Sequence, residues 1–193
     1  MWRRISILSF DLKRSLRRLK PTRRTTRLAR RPDAALPFIG EKTTGGPELL
    51  LDKCVYIDIL QDRAPVGLQT LLTARLCNHS GIALAELTHL FGRLDPQDHR
   101  TRPVMADISA MILDMPVHRL AAPSTHALGK AGILAGLTAR LTGTEPGQAL
   151  LNDAALYLQA IEQGQTLVTR NVREFDWFDQ LLPSGRVLLY RQA

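Results

Sequence analysis

The chain has 193 residues, 45% of them apolar, enough for one α/β domain with a sizeable core and too few for two large domains. Of the net charge of +8, residues 1–48 hold 13 Lys and Arg against 4 Asp and Glu, whereas residues 49–193 hold 13 against 14, so a near-neutral unit carries a basic arm. Cys54 and Cys77 form no CxxC pair, which argues against a disulfide framework or a cysteine zinc site and fits a reducing, cytoplasmic setting; no apolar run approaches the ~20 residues of a membrane span, and the start lacks the apolar stretch of a secretory signal.

Trp2, Ile5, Leu8, Leu12, Leu16 and Leu19 recur at helical spacing among arginines and lysines, the pattern of a short basic amphipathic helix. Such a helix suits a phosphate-rich or membrane surface, and its composition equally suits a transit peptide or a poorly ordered tail. PTRRTTRLARRP has no apolar periodicity. With ALPFIGEKTTGGPE it reads as a linker, which divides the chain into an arm, 1–47, expected to be partly disordered, and a domain, 48–193.

Within the domain, LLLDKCVYI predicts a strand, PVGLQTLLTARLCN a helix, GIALA an extended segment and ELTHLFGRL a helix. RPVMADISAMILDM predicts a helix, HRLAA a short strand, and THALGKAGILAGLTARLTG a helix ended by glycine. NDAALYLQAIEQG predicts a helix with Ala154, Leu158 and Ile161 on one face and Gly164 as its C-cap; TLVT and RVLLY predict strands. Strands alternating with helices imply an α/β fold with a mostly parallel sheet covered on both faces. Trp177, Phe178 and Phe175 in VREFDWFDQLL are expected in the core, with a dimer or partner contact as the alternative.

In such sheets ligands bind beyond the carboxyl ends of the strands, where the chain places four polar residues. Asp52 falls within the first strand, Glu86 opens the helix after GIALA, Asp153 opens the helix before TLVT, and Asn171 ends that strand. Carboxylates gathered in a partly dry cleft stay ionised only if a cation joins them, and oxygen-only ligation selects Mg2+ or Mn2+. Such an ion neutralises a scissile phosphate and acidifies a bound water. Each residue also has a bland reading. Asp153 and Glu86 suit the first turn of a helix, and Asn171 suits a turn. Asp52 is harder to explain that way, because strands are poor in Asp and a buried carboxylate needs a partner. Arg170 and Arg173 flank Asn171 and are either phosphate contacts or solvated surface. The five histidines show no HxxxH or HExxH pairing, and no phosphate-loop motif follows a strand, which leaves zinc enzymes and nucleotide binders without support.

LLLDKCVYIDIL, GIALAEL, AGILAGLTARLTG, LNDAALYLQA and TLVTRNVREF, in this order over residues 48–191, resemble the motifs of PIN-domain proteins of the VapC-type toxin kind. The resemblance implies a PIN-like fold with a mostly parallel five-stranded sheet flanked by helices. It implies an Mg2+- or Mn2+-dependent endoribonuclease that leaves 5′-phosphate and 3′-hydroxyl ends on RNA, usually a homodimer held by a cognate antitoxin. Asp52, Glu86 and Asp153 match the three acids of the motif and Asn171 its fourth metal position, often Asp, with Glu174 three residues on. Lys53 stands where the family usually has Ser or Thr, so a hydroxyl that helps set the site is missing; its ammonium suits either a phosphate or a neighbouring acid. Lys53 and Asn171 together motivate the alternative of a catalytically weak PIN-fold module for RNA binding or assembly.

Overall fold

The computed structural model describes residues 10–40 and 44–193. Its elements are α1 (Leu12–Leu19), β1 (Leu49–Leu51), α2 (Lys53–Leu60), α3 (Val66–Ala74), β2 (Cys77–Ser80), α4 (Gly81–Arg93), α5 (Thr101–Leu113), β3 (Leu120–Ala121), α6 (Thr125–Thr142), α7 (Gln148–Glu162), β4 (Thr166–Thr169), α8 (Val172–Leu181) and β5 (Arg186–Leu189). The five strands form one sheet in the order β3-β2-β1-β4-β5, every neighbouring pair parallel. The chain builds outward from β1 through β2 to β3, then returns to place β4 on the other side of β1. The seam between β1 and β4 is therefore the topological switch point, where a crevice opens beyond the strand ends.

Alternation along the strands divides the core between the two faces of the sheet. Leu50 and Leu167 pack with Leu134, Tyr157, Phe175 and Phe178 beneath α6, α7 and α8. Leu49, Leu51 and Val168 face Val55, Leu68, Leu71 and Leu87 from α2, α3 and α4. Phe175, Trp177 and Phe178 are buried as expected. Gly143 ends α6 at φ 75°, a left-handed position where a Cβ would be strained.

Four expectations are corrected. β1 stops at Leu51, and KCVYIDIL is the helix α2: its apolar run is short and β-branched, ambiguous by pattern alone, and Asp52 turns the chain as the helix N-cap. GIALA is the first part of α4, not an extended segment. The strand before it is the polar CNHS, β2, invisible to a hydrophobicity pattern because Ser80 and Asn78 satisfy themselves by hydrogen bonds inside the fold. α7 begins at Gln148 behind Gly147, so Asp153 lies in its second turn and not at its start.

Leu12, Leu16 and Leu19 of the expected arm helix fall on α1, with Leu19 buried and the other two exposed; Trp2, Ile5 and Leu8 lie outside the described residues. The stretch read as a linker runs along the domain. Leu28 N–H donates to Leu141 O at 3.0 Å, Arg24 Nη2 to Leu181 O at 2.8 Å, and Arg31 pairs with the buried Asp176 (2.5 Å) and with Asp179 (2.6 Å). Ile39 N–H donates to Leu189 O at 2.8 Å and Leu189 N–H to Pro37 O at 2.9 Å, so this stretch covers the outer edge of β5.

Candidate functional site

The parallel register of β1 and β4 sets Leu51 opposite Val168, which brings the next residues, Asp52 and Thr169, side by side at the switch point. Asp52 is buried, and its Oδ2 accepts from Thr169 Oγ1 at 2.5 Å and from Cys54 Sγ at 3.2 Å. Thr169 thus sets a hydroxyl from the neighbouring strand against the buried acid. Burial raises the Asp52 carboxyl above the ordinary range, the Thr169 and Cys54 donors oppose that, and Glu86 adds to it.

Glu86 reaches the same place from the second turn of α4. Its Oε1 accepts from Asn152 Nδ2 at 3.1 Å and its Oε2 stands 3.3 Å from Lys53 Nζ. Of the two roles open to Lys53, the structure shows pairing with an acid. Asp153 comes from α7, one residue beyond Asn152, and accepts from Asn171 Nδ2 at 2.9 Å on Oδ2. Burial, then the charges of Asp52, Glu86 and Glu174, push the Asp153 carboxyl up to about 8, with Lys53 opposing. Asn171 is the N-cap of α8 but makes no side-chain cap, so its amide is spent on Asp153 and not on the helix.

Asp52, Lys53, Glu86, Asp153 and Asn171 line one open cleft of about 620 Å³. Arg170, Arg173 and Glu174 form its rim, joined by Arg30 from the arm. Arg170 Nε lies 2.9 Å from the fully buried Asp58, which also accepts from Tyr190 and Gln192 at 2.7 Å. Arg173 pairs with Glu174 at 2.7 Å and lies 5.5 Å over the Trp177 ring. Sequence reading missed Thr169, Cys54, Asn152, Asp58 and Arg30. Only Thr169 carried a signal, as the last residue of the strand TLVT.

The donor chemistry fits a hard divalent ion: carboxylate and amide oxygens in a cleft where burial and neighbouring negative charge raise the carboxyls of Asp52 and Asp153. Among the described residues, no three His, Cys, Asp or Glu side chains converge closely enough to enclose an ion. In this arrangement Lys53 and the Asn171 amide partly offset the acids. Cys54 and Cys77 are both free thiols, and among the described residues no helix is long and apolar enough to cross a membrane.

No protein-family model matches the chain, and no curated protein matches it. Solved structures do. The chain is similar to VapBC2 from Rickettsia felis bound to a DNA fragment from its promoter, at 19% identity and TM-score 0.52 over 74% of this chain and 98% of that one. It is also similar to FitAcB from Neisseria gonorrhoeae, at 19% identity and TM-score 0.53 over 72% of this chain and 96% of that one. The PIN-like architecture expected from the motifs is the fold observed, with the sheet wholly parallel.

Proposed function

We propose that the chain is a metal-dependent endoribonuclease of the PIN type, the toxin of a toxin–antitoxin pair, hydrolysing RNA phosphodiesters to 5′-phosphate and 3′-hydroxyl ends. The observation that carries this reading is the meeting of Asp52, Glu86, Asp153 and Asn171, from four separate segments, in one cleft at the switch point. Asp52, Glu86 and Asp153, with the Asn171 carbonyl as a neutral fourth donor, would hold Mg2+ or Mn2+, which supplies charge neutralisation at the scissile phosphate and a water of lowered pKa.

The protein's own residues prepare that site. Thr169 and Cys54 fix Asp52 through Oδ2 and leave Oδ1 without a hydrogen bond among the described residues. Asp153 holds a proton at neutral pH for as long as no cation balances its neighbours. Arg170, anchored by Asp58, and Arg173, braced on Glu174 and Trp177, set guanidinium groups on the rim where RNA phosphates enter. Lys53 pairs with Glu86 and sets an ammonium in the lining of the cleft.

The likeness to VapBC2 supports a cognate antitoxin for this chain, and a toxin homodimer belongs to the same proposal. Purified Asp52→Asn and Asp153→Asn variants are expected to lose Mg2+-dependent RNA cleavage; cleavage equal to wild type in both would reject the reading. The Lys53–Glu86 and Asn171–Asp153 pairings favour one second reading, a PIN fold that binds RNA without cutting it. RNA binding unchanged by EDTA, with no hydrolysis of any RNA, is its signature.

A further inference from the structure

A second polar cavity, of about 240 Å³, lies between the arm helix α1, the N-terminal half of α6 and the C-terminal end of α7. Arg14, Ser15 and Arg18 line it from α1, His126 and Lys130 from α6, and Glu162 from α7. Along α7, Glu162 is nine residues beyond Asp153, roughly 13 Å up the axis and on the opposite helical face, so this cavity is separate from the acidic cleft.

The arm is seated firmly here. Phe10 covers Gly129, where a Cβ would come within 2.7 Å of its ring, and its ring centroid lies 5.7 Å from that of His126. Two side chains in the cavity nevertheless have no hydrogen-bond partner among the described residues. Lys130 is only 5% exposed, and its ammonium has no hydrogen bond or ion pair among the described residues. Ser15 is 2% exposed, and its Oγ has no hydrogen-bond partner among the described residues. The acid at hand, Glu162, already accepts from Ser124 Oγ at 2.7 Å, and residues 1–9 contain no acidic residue to add. Burial, and then Arg18 and Arg14, hold the Lys130 ammonium down to about 8 against the pull of Glu162. Arg14 and Arg18 are exposed at the mouth, with Arg18 donating to Ser184 Oγ at 2.8 Å, whereas Lys130 and the Ser15 hydroxyl are buried without a hydrogen bond among the described residues, a costly arrangement for a core. It is a good arrangement of donors for a tetrahedral oxyanion, which accepts from all of them at once.

We propose that this cavity binds a phosphate group, held by Lys130, Arg14, Arg18 and the Ser15 hydroxyl. The site exists only with α1 docked on α6, which gives the basic arm a binding role apart from the cleft. The inference does not depend on catalysis in the cleft.

Inorganic phosphate is the first probe, against chloride at equal ionic strength, with the melting temperature of the full-length protein as readout. At about tenfold excess over its Kd, phosphate should raise Tm by roughly 3–6 °C. Lys130→Met keeps the bulk of the side chain and removes the charge, so it should fold and lose that shift. Arg14→Gln, at an exposed position, should weaken it at least severalfold. No shift in wild type, or an equal shift in both variants, overturns the proposal. A short single-stranded RNA added in competition identifies the source. Displacement of phosphate in wild type, with weaker RNA affinity in Lys130→Met, assigns an RNA backbone phosphate; bound phosphate that RNA leaves undisturbed assigns a free phosphate or monoester.

Discussion

The Thr169 hydroxyl donates a 2.5 Å hydrogen bond to Asp52 Oδ2 across the seam between β1 and β4. Both residues are buried, at 0% and 5% exposure, so this bond is the main polar compensation for placing a carboxylate at the base of the cleft. Thr169→Val should cost about 1–3 kcal/mol in urea denaturation, because it leaves the acid with only the weak Cys54 donor. It should also lower cleavage, and Thr169→Ser should restore both. A valine variant as stable as wild type would show that the bond contributes nothing.

Removing Lys53 separates its two roles. Lys53→Ser frees Glu86 and takes a positive charge from the acidic cleft. The pair is partly exposed, which limits its worth to roughly 0–1 kcal/mol, so Mn2+ affinity should rise up to about fivefold. Calorimetric titration with Mn2+ reads this directly. Unchanged affinity with impaired RNA binding would assign Lys53 to phosphate instead.

Asn171→Asp converts a donor to Asp153 into a fourth carboxylate. The metal-free protein should melt at lower temperature than wild type, and the Mn2+ titration should shift to lower concentration, with cleavage kept or raised. An unchanged titration would remove Asn171 from the ligand set.

The protonation of Asp153 predicts how pH acts on the metal-free fold. Its carboxyl is raised to about 8 from an ordinary value of 3.8, so the folded state binds the proton more tightly than the unfolded chain does. The stability associated with that proton is complete below about pH 4 and is lost as pH rises towards 8; Asp52 is shifted in the same direction. Mg2+ or Mn2+ should therefore raise Tm more at pH 8 than at pH 5. Equal shifts at both values would contradict ligation by these acids.

The arm should contribute to stability through Arg31. Arg31→Ala leaves Asp176, whose side chain is 0% exposed, with Gln180 as its remaining side-chain donor, at a cost of about 2–4 kcal/mol. Arg23→Ala, at an exposed site, should change stability by less than about 0.5 kcal/mol in the same denaturation experiment.

Legible in the amino-acid order were the α/β class, the strands TLVT and RVLLY, the long helix ended by Gly143, and the four polar residues of the cleft. The first three are local properties, an apolar period or a glycine stop, and the four polar residues were legible through the motifs that carry them. Tertiary structure alone decided the rest. CNHS became β2 because partners elsewhere in the fold satisfy its polar atoms, and DKCVYI left the sheet because Asp52 turns the chain into α2. Asp153 lost its reading as a helix-start acid once α7 was seen to begin at Gln148. The Thr169 hydroxyl beside Asp52, Lys53 against Glu86, and Lys130 in the cavity beneath α1 all depend on register and docking between segments distant in sequence. Local pattern carries no information about which distant groups will share a buried volume, and it is the loss of water in that volume that sets their charge and their chemistry.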